Sequence, residues 1–536
     1  MPDSLPDKDR GHSKSTRRPF DPATAHRTLF QALAEARREH GGGKIALVDT
    51  DDRNFTYDDV IQASFALGSA LKRGTRSGEC VGVMLPTGAA GALTFFALSA
   101  YGRVPTMLNF TSGLAGLKSA LRTAQVKRVV TAHRLIEKAG LQDAIAGLAA
   151  ESGAEIVYLE DVRKNLSLRN KLAAVTGKLA PGLLAAKPDP SKPAVILFTS
   201  GTEGEPKGVV LSHENILANI SQARAHFDFY ASDILLNPLP VFHCFGLTVG
   251  TLLPLMIGVK IVSHPTPLQP KEIVSRIRRH AATILISTDT FINQYARCSE
   301  AGDLDSLRMA VCGAERLRDE TRAFLRKNSG VTLLEGYGVT EAAPVLAANQ
   351  VEANHPGTVG RLLAGIEARL EPVEGISGAG QLHVRGPNIM LGYLKPDAPG
   401  KIVAPEGGWH NTGDIVAIDE EGFVAIRGRL KRFAKIGGEA VSLAVVENIA
   451  GALWPEHSHA AVAVPDGRKG EQIVLVTNAP EASRVAMVGW AQNHGVTELA
   501  LPRRLILVEA IPMLATGKTD YVSVQKMANA QADSIP

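Results

Sequence analysis

The stretch Ile196–Leu211, ILFTSGTEGEPKGVVL, restricts the fold of this chain more than any other. The apolar run Ala194–Phe198 reads as a buried strand. It empties into a loop of Thr199, Ser200, Gly201, Thr202, Gly204, Pro206, Lys207 and Gly208, and a second apolar run, Val209–Leu211, follows. Glycines let a backbone fold closely round a phosphate chain, hydroxyl and backbone N–H groups donate to its oxygens, and a lysine neutralises charge. The loop therefore reads as a nucleotide-triphosphate cradle held by two strands of a hairpin. It differs from a Walker loop, in which G-x-x-x-x-G-K-[ST] opens a helix, because Lys207 precedes the last glycine. On composition alone a mobile Gly/Ser turn is the competing reading.

The 536 residues exceed one typical core, so two or more domains are expected. A formal charge of +4 is too small to imply nucleic acid and suits an anionic ligand or an acidic partner. Cys80, Cys244, Cys298 and Cys312 have no C-x-x-C spacing, which points to neither zinc nor disulfides and suits the reducing cytosol. Cys244 beside His243 could be a nucleophile and its base, but a small buried thiol is the favoured reading. Residues 1–24 have charges of both signs and no apolar segment, so they read as a disordered tail. Leu247–Val262 is interrupted by Pro254, Gly258 and Lys260 and reads as core rather than a membrane span.

Downstream of the tail, helical and strand-like segments alternate. Thr28–His40 reads as an amphipathic helix and Lys44–Asp49 as a strand. Phe55–Arg73 reads as a turn followed by a helix, and Ala89–Ala100 as a small-residue helix. This alternation predicts a largely parallel α/β sheet. Ala173–Pro193 reads as an exposed connector, and His213 opens a helix with Glu214 in its first turn. Near Met309–Cys312 a strand ends in Gly313, Ala314 and Glu315, at an edge where open α/β sheets bind ligands. Tyr337 lies between Gly336 and Gly338 and can stack on a purine. Thr340 can donate to an α-phosphate, and Glu341 is a hard oxygen ligand suited to Mg²⁺. Residues 355–429 carry strand alternation and glycine turns, as in a small antiparallel part. Asp414, after Thr412–Gly413, can accept from both hydroxyls of a ribose. His457 and His459 read as surface residues rather than metal ligands.

TSGTEGEPKGV, YGVTE, WHNTGD and the final PMLATGKTDY resemble, in order and spacing, the motifs of the adenylate-forming superfamily. The resemblance implies ATP and Mg²⁺ as cofactors, with Thr199–Lys207 on the β- and γ-phosphates and Gly313, Ala314, Glu315 and Tyr337 at the adenine. Glu341 and Thr202 would meet the metal, and Asp414 and Arg429 the ribose. Lys518 would be the catalytic lysine, with Thr340 beside it, and His243 would lie between the nucleotide and the acyl pocket. The implied fold is a large N-terminal domain, residues 25–428, of mixed and parallel α/β subdomains plus a small β-barrel-like part. A small mobile α+β domain, residues 429–536, would rotate about a hinge near Lys431. The implied hinge is usually aspartate, so lysine is a departure. The basic run Arg429, Lys431, Arg432 and Lys435 reads as a solvated face or as a contact for an anionic carrier or nucleotide.

EGYGVTEAAPVLAANQ, GPNIMLGYL and GRLKRFAKIGGEAVSL carry a narrower resemblance, to the acyl-acyl carrier protein synthetases found as one half of bifunctional acyltransferase/synthetase proteins. The acyltransferase half uses H-x-x-x-x-D, and none of the fifteen histidines has aspartate five residues on. The implied activity is AMP-forming activation of a fatty acid, with long chains favoured, and transfer to acyl carrier protein. CoA as the thiol acceptor is the first alternative, and a non-catalytic acyl- or nucleotide-binding module is the second. A cytoplasmic enzyme is expected. A peripheral contact with the inner membrane face suits a lipid substrate, although no amphipathic basic helix stands out in the sequence.

Overall fold

The computed structural model describes residues 15–199, 206–374, 376–436, 439–466, 470–494, 496–513 and 519–530. Pro193–Thr199 pairs antiparallel with Lys207–Ser212, with Leu197 opposite Val209 and Thr199 opposite Lys207. The expected hairpin is therefore present. Its connection, including Ser200, Gly201 and Thr202, lies outside the described residues. Val195, Leu197, Val209 and Leu211 enter one buried apolar cluster, while Ile196 and Val210 enter another. Both faces of the hairpin are covered, which is why its strands read as continuous apolar runs rather than alternating ones. Full burial contributes about 1.5–3 kcal/mol for each large aliphatic side chain, so the two ends of the loop are firmly anchored.

The chain divides into two compact units, Met1–Asn354 with Leu362–Ile366 and Gly386–Gly408, and His355–Arg361 with Glu367–Arg385 and Trp409–Pro536. In the first unit the hairpin belongs to an eight-stranded sheet. Pro193–Thr199, Val104–Met107, Cys80–Val83, Arg128–Thr131 and Glu155–Tyr158 run parallel in that order. Lys207–Ser212, Gly392–Lys395 and Ala398–Val403 continue it antiparallel. A nine-stranded sheet has a parallel centre of Thr332–Gly338, Met309–Cys312, Ile284–Ser287, Ile234–Asn237, Lys260–Ser263 and Ile45–Val48. One apolar cluster joins both sheets through the helices Leu29–His40, Ala89–Ala100 and His213–His226.

The second unit holds a four-stranded antiparallel sheet, Glu367–Pro372, Gly380–Arg385, His410–Ile418 and Val424–Arg429. It also holds a five-stranded sheet packed with the helices Leu443–Leu453 and Arg484–Asn493. The fold is the expected one, a large α/β part of mixed sheets with a small C-terminal α+β part.

Local chemistry explains several boundaries. Thr28 and Ser212 each form a reciprocal capping box, with Gln31 and Asn215 respectively, and so start their helices. Where a turn was expected at Phe55, Asn54–Thr56 is a short strand antiparallel to Ile45–Val48, and Thr56 then caps the helix Tyr57–Leu71. The first half of the connector expected over Ala173–Pro193 is helical, as far as Leu184. Leu168–Leu179 starts at a Ser167–Asn170 capping box, and Pro181–Leu184 follows it. Of the stretch read as a tail, Thr16 donates its N–H to the Phe229 carbonyl at 2.7 Å, and Arg17 pairs with Asp228. Leu247–Val262 is buried and broken into a π-helix, a short helix and a strand. Among the described residues no helix is long and apolar enough to cross a membrane.

Candidate active site

Glu341 lies in the single-turn helix Thr340–Ala342, just beyond the Thr332–Gly338 strand. Its Oε1 accepts a hydrogen bond from the Tyr393 hydroxyl at 2.5 Å. Tyr393 sits in the strand that pairs with Lys207–Ser212, directly opposite Val209. The Lys207 ammonium lies 5.7 Å from the centre of the same ring. One tyrosine thus gathers the lysine at the end of the phosphate loop and the candidate metal ligand. Burial and then the negative Glu341 push the Tyr393 hydroxyl well above its ordinary pKa, so it remains a donor through neutral pH.

The Glu341 turn is pinned by buried amides. Asn388 donates to the Ala342 carbonyl at 2.8 Å, and Met390 donates its N–H to the Glu341 carbonyl at 2.8 Å. Asn219 exchanges two hydrogen bonds with the Val345 backbone, at 2.8 and 3.0 Å. Ala343 and Ala314 hold left-handed backbone at φ 67° and 68°. Non-glycine residues enter that region at a cost of about 1–2 kcal/mol, and such strain gathers at functional sites. Gly338 is required by close approach, since a Cβ there would lie 2.3 Å from the Pro344 carbonyl oxygen. Tyr337 is buried opposite Ala347, and Gly336 meets only ordinary contacts.

His243 and Phe245 are half-buried where a turn over residues 241–243 leads into a π-helix, Phe245–Leu252. The Phe245 ring covers Gly313, where a Cβ would come within 3.0 Å of it. π-Helical turns recur at functional sites. Cys244 is buried against Thr248, and burial pushes its thiol up to about 12, so it stays protonated and is no nucleophile. Glu315 turns towards the helix Asp289–Cys298, where it accepts the Thr290 N–H at 3.0 Å. Burial raises its pKa. Its side chain therefore serves a helix start.

In the second unit Asp414 and Arg429 are direct cross-strand partners, and the Arg429 guanidinium donates to Asp414 Oδ1 at 3.1 Å. The sequence singled out both residues; the register brings them together. Lys435 is exposed on the strand Phe433–Ile436. Arg432 is not a solvated cation. It donates to Glu447 at 2.7 Å and lies 3.6 Å over the Tyr521 ring. His459 is also more than a surface residue, with ring nitrogens engaging Thr477 at 2.8 Å and the Trp454 carbonyl at 3.0 Å. Lys518 lies outside the described residues.

Residues 33–394, the greater part of the chain, match the AMP-binding enzyme family. The chain belongs to that family. A long-chain-fatty-acid–CoA ligase of Salmonella typhimurium is 30% identical over 354 residues, covering 64% of this chain and 63% of the relative's own length. A medium-chain fatty-acid–CoA ligase of Escherichia coli K12 is 27% identical over 508 residues, 90% of this chain and 87% of the relative. Among solved structures, ATP-bound MatB from Rhodopseudomonas palustris superposes with a TM-score of 0.81 at 24% identity, over 94% of this chain and 99% of that one. The anthranilate CoA ligase AuaEII superposes at 0.78 with 22% identity, over 95% and 98%. These superpositions establish the fold.

The Mg²⁺ that the resemblance implies finds a compatible donor set in this AMP-binding enzyme. Tyr393 engages Oε1 of Glu341, and Oε2, with the hydroxyl of the adjacent residue Thr340, would be the protein's donors to the ion. Among the described residues no group of three or more His, Cys, Asp or Glu could hold a metal, so phosphate oxygens and water would complete the shell, as is usual for Mg²⁺. Sequence reasoning passed over Tyr393, Asn219 and Asn388. Asn215, Asn219 and Gln222 form an i, i+4, i+7 polar stripe that is buried together with Ile216, Leu217, Ala218 and Ile220 of the same helix. That stripe signals side chains meant to hold backbone elsewhere.

Proposed function

We propose that this enzyme activates a long-chain fatty acid with Mg·ATP and passes the acyl group to the phosphopantetheine thiol of acyl carrier protein. It acts as an AMP-forming acid–thiol ligase. The observation that carries the reading is the Tyr393-held Glu341 beside Lys207, at the end of a glycine-rich hairpin loop. A carboxylate oxygen attacks the α-phosphorus, the bond to pyrophosphate breaks, and acyl-adenylate results. The thiol, losing its proton, then attacks the acyl carbonyl and AMP leaves.

In this reading Thr199, Ser200, Gly201, Thr202 and Lys207 hold the β- and γ-phosphates. Tyr337, with Gly313, Ala314, Gly336 and Gly338, borders the adenine, and Asp414 with Arg429 holds the ribose. Glu341 and Thr202 would hold Mg²⁺, which would lower the charge repulsion between nucleotide and attacking carboxylate. Positioning and charge neutralisation carry the reaction. Lys518 neutralises charge shared between carboxylate and α-phosphate, and a hinge near Lys431 would exchange it for the thiol-transfer arrangement. Lys518→Ala is expected to abolish acyl-adenylate formation while circular dichroism stays unchanged; undiminished adenylate would refute the role.

CoA is the second reading for the acceptor, favoured by the names of the relatives, which are CoA ligases. The deciding experiment supplies labelled palmitate and Mg·ATP with either CoA or holo-acyl carrier protein. Label on the carrier protein alone supports the first reading, and label on CoA alone the second. No pyrophosphate from any acid in a panel would overturn both.

A further inference from the structure

The helix Leu168–Leu179 turns its large aliphatic side chains outward. Leu168 is 83% exposed, Leu172 65%, Val175 49% and Leu179 78%, and Leu183 in the next short helix is 80% exposed. At about 100° per residue the first four fall within roughly 60° of one another on a single stripe. The residues facing inward are Asn170, Ala174 and Gly177, roughly opposite. Asn170 donates to the Ser69 hydroxyl at 2.6 Å, and Gly177 lies so close to Phe65 that a Cβ would meet its ring at 2.1 Å. Small residues seat the helix on Tyr57–Leu71, and the leucines remain as a ridge.

The segment that carries this ridge is predominantly basic, with Asp161 and Asp189 at its two ends. From Val162 to Pro188 the chain has six basic residues, Arg163, Lys164, Arg169, Lys171, Lys178 and Lys187, and no acidic one. All but Lys178, which reaches back to Asp58 at 3.1 Å, are exposed. On the helix, Lys171 and Lys178 flank the stripe on one side and Arg169 on the other.

We propose that this ridge is a docking surface for an anionic phospholipid bilayer. Protruding leucines within a basic rim match an interface in which acyl chains lie beneath a layer of negative headgroups. A protein groove would call for anchors that fit a pocket, whereas here Leu168, Leu179 and Leu183 are each about four-fifths exposed. The helix Leu168–Leu179 runs into the stretch Ala173–Pro193, whose composition is that of an exposed connector, which conceals its amphipathic character in the sequence.

The purified full chain is floated with vesicles of phosphatidylglycerol mixed with phosphatidylcholine, and with vesicles of phosphatidylcholine alone. Association with the anionic vesicles only, weakening as salt rises, is expected. The triple variant Leu168→Gln, Leu172→Gln, Leu179→Gln should bind at least about 10-fold more weakly, since each loses apolar insertion. All three positions are exposed, so its circular dichroism and its pyrophosphate release with a short water-soluble acid should match the parent. A failed enzymatic reading leaves the flotation result unaffected. Failure to float with either vesicle, or flotation unchanged by the triple variant, overturns the proposal. Self-association, or binding to holo-acyl carrier protein, that the variant abolishes without any vesicle binding would reassign the ridge to a protein partner.

Discussion

Replacing Tyr393 with phenylalanine removes one hydroxyl and leaves the rest of the Glu341 site in place. The ring stays against Lys207, whose ammonium is 5.7 Å from its centre, and the strand pairing opposite Val209 involves only backbone. The 2.5 Å hydrogen bond to Glu341 is lost. A hydrogen bond to a charged group is worth about 1.5–3 kcal/mol net. At about 1.4 kcal/mol per decade this amounts to roughly 10–150-fold. Residues that orient a metal ligand show a similar loss, about 10–100-fold. The loss should appear in the adenylation half-reaction, with the Mg²⁺ concentration for half-maximal pyrophosphate release shifted upward. Mn²⁺ bound in the presence of a non-hydrolysable ATP analogue, followed by electron paramagnetic resonance, should weaken in parallel. Thiol transfer from preformed acyl-adenylate should change little. Superimposable metal titrations and unchanged Mn²⁺ binding in Tyr393→Phe would refute the argument that this hydroxyl holds Glu341 for the metal.

Other consequences can be checked independently. Burial lowers the His213 pKa to about 4, and its Nδ1 accepts the Leu29 N–H at 3.1 Å, which requires the neutral ring. The folded pKa lies below the ordinary histidine value of 6.5, so the contribution, about 3 kcal/mol at most, is complete above pH ~6.5 and is lost as pH falls towards ~4. In His213→Asn the acid side of a denaturation series should flatten, and an identical pH slope would count against it. Gly177→Val should force the helix off Phe65 and destabilise the first unit by about 1–3 kcal/mol, read as a lower melting temperature; unchanged melting would show that the contact yields freely. Arg432→Glu should destabilise the second unit by placing two carboxylates together, with acyl carrier protein and CoA affected alike. A selective rise in the KM for one acceptor, with stability unchanged, would restore the reading of Arg432 as a docking cation.

The contrast between Arg432 and Lys435 shows what a charge run leaves undecided. Both belong to the same basic stretch, yet one is drawn in by Glu447 and Tyr521 and the other is exposed. A linear sequence shows charge density, whereas the fate of each cation depends on carboxylates and rings brought near by folding. Likewise Glu315 stood out as a ligand-edge residue, but its carboxylate meets the start of a neighbouring helix. The type of the residue was legible and its direction was not.

What the sequence by itself determined were the features governed by short-range rules. The apolar runs of the Pro193–Thr199 and Lys207–Ser212 hairpin, the helix starts at Thr28 and Ser212, and the ordered motifs from Thr199 to Asp414 all rest on spacing and residue type within a few positions. Only the tertiary structure decided which distant groups meet. Tyr393 reaches Glu341 from 52 residues away, and Asn219 and Asn388 secure the turn between them. The Leu168–Leu179 helix shows the reason most clearly. Its periodicity gives two faces, leucine-rich and small, and an amphipathic rule would bury the leucines. Close approach to Phe65 admits only the small face, so packing, rather than hydrophobicity alone, sets which side meets the solvent.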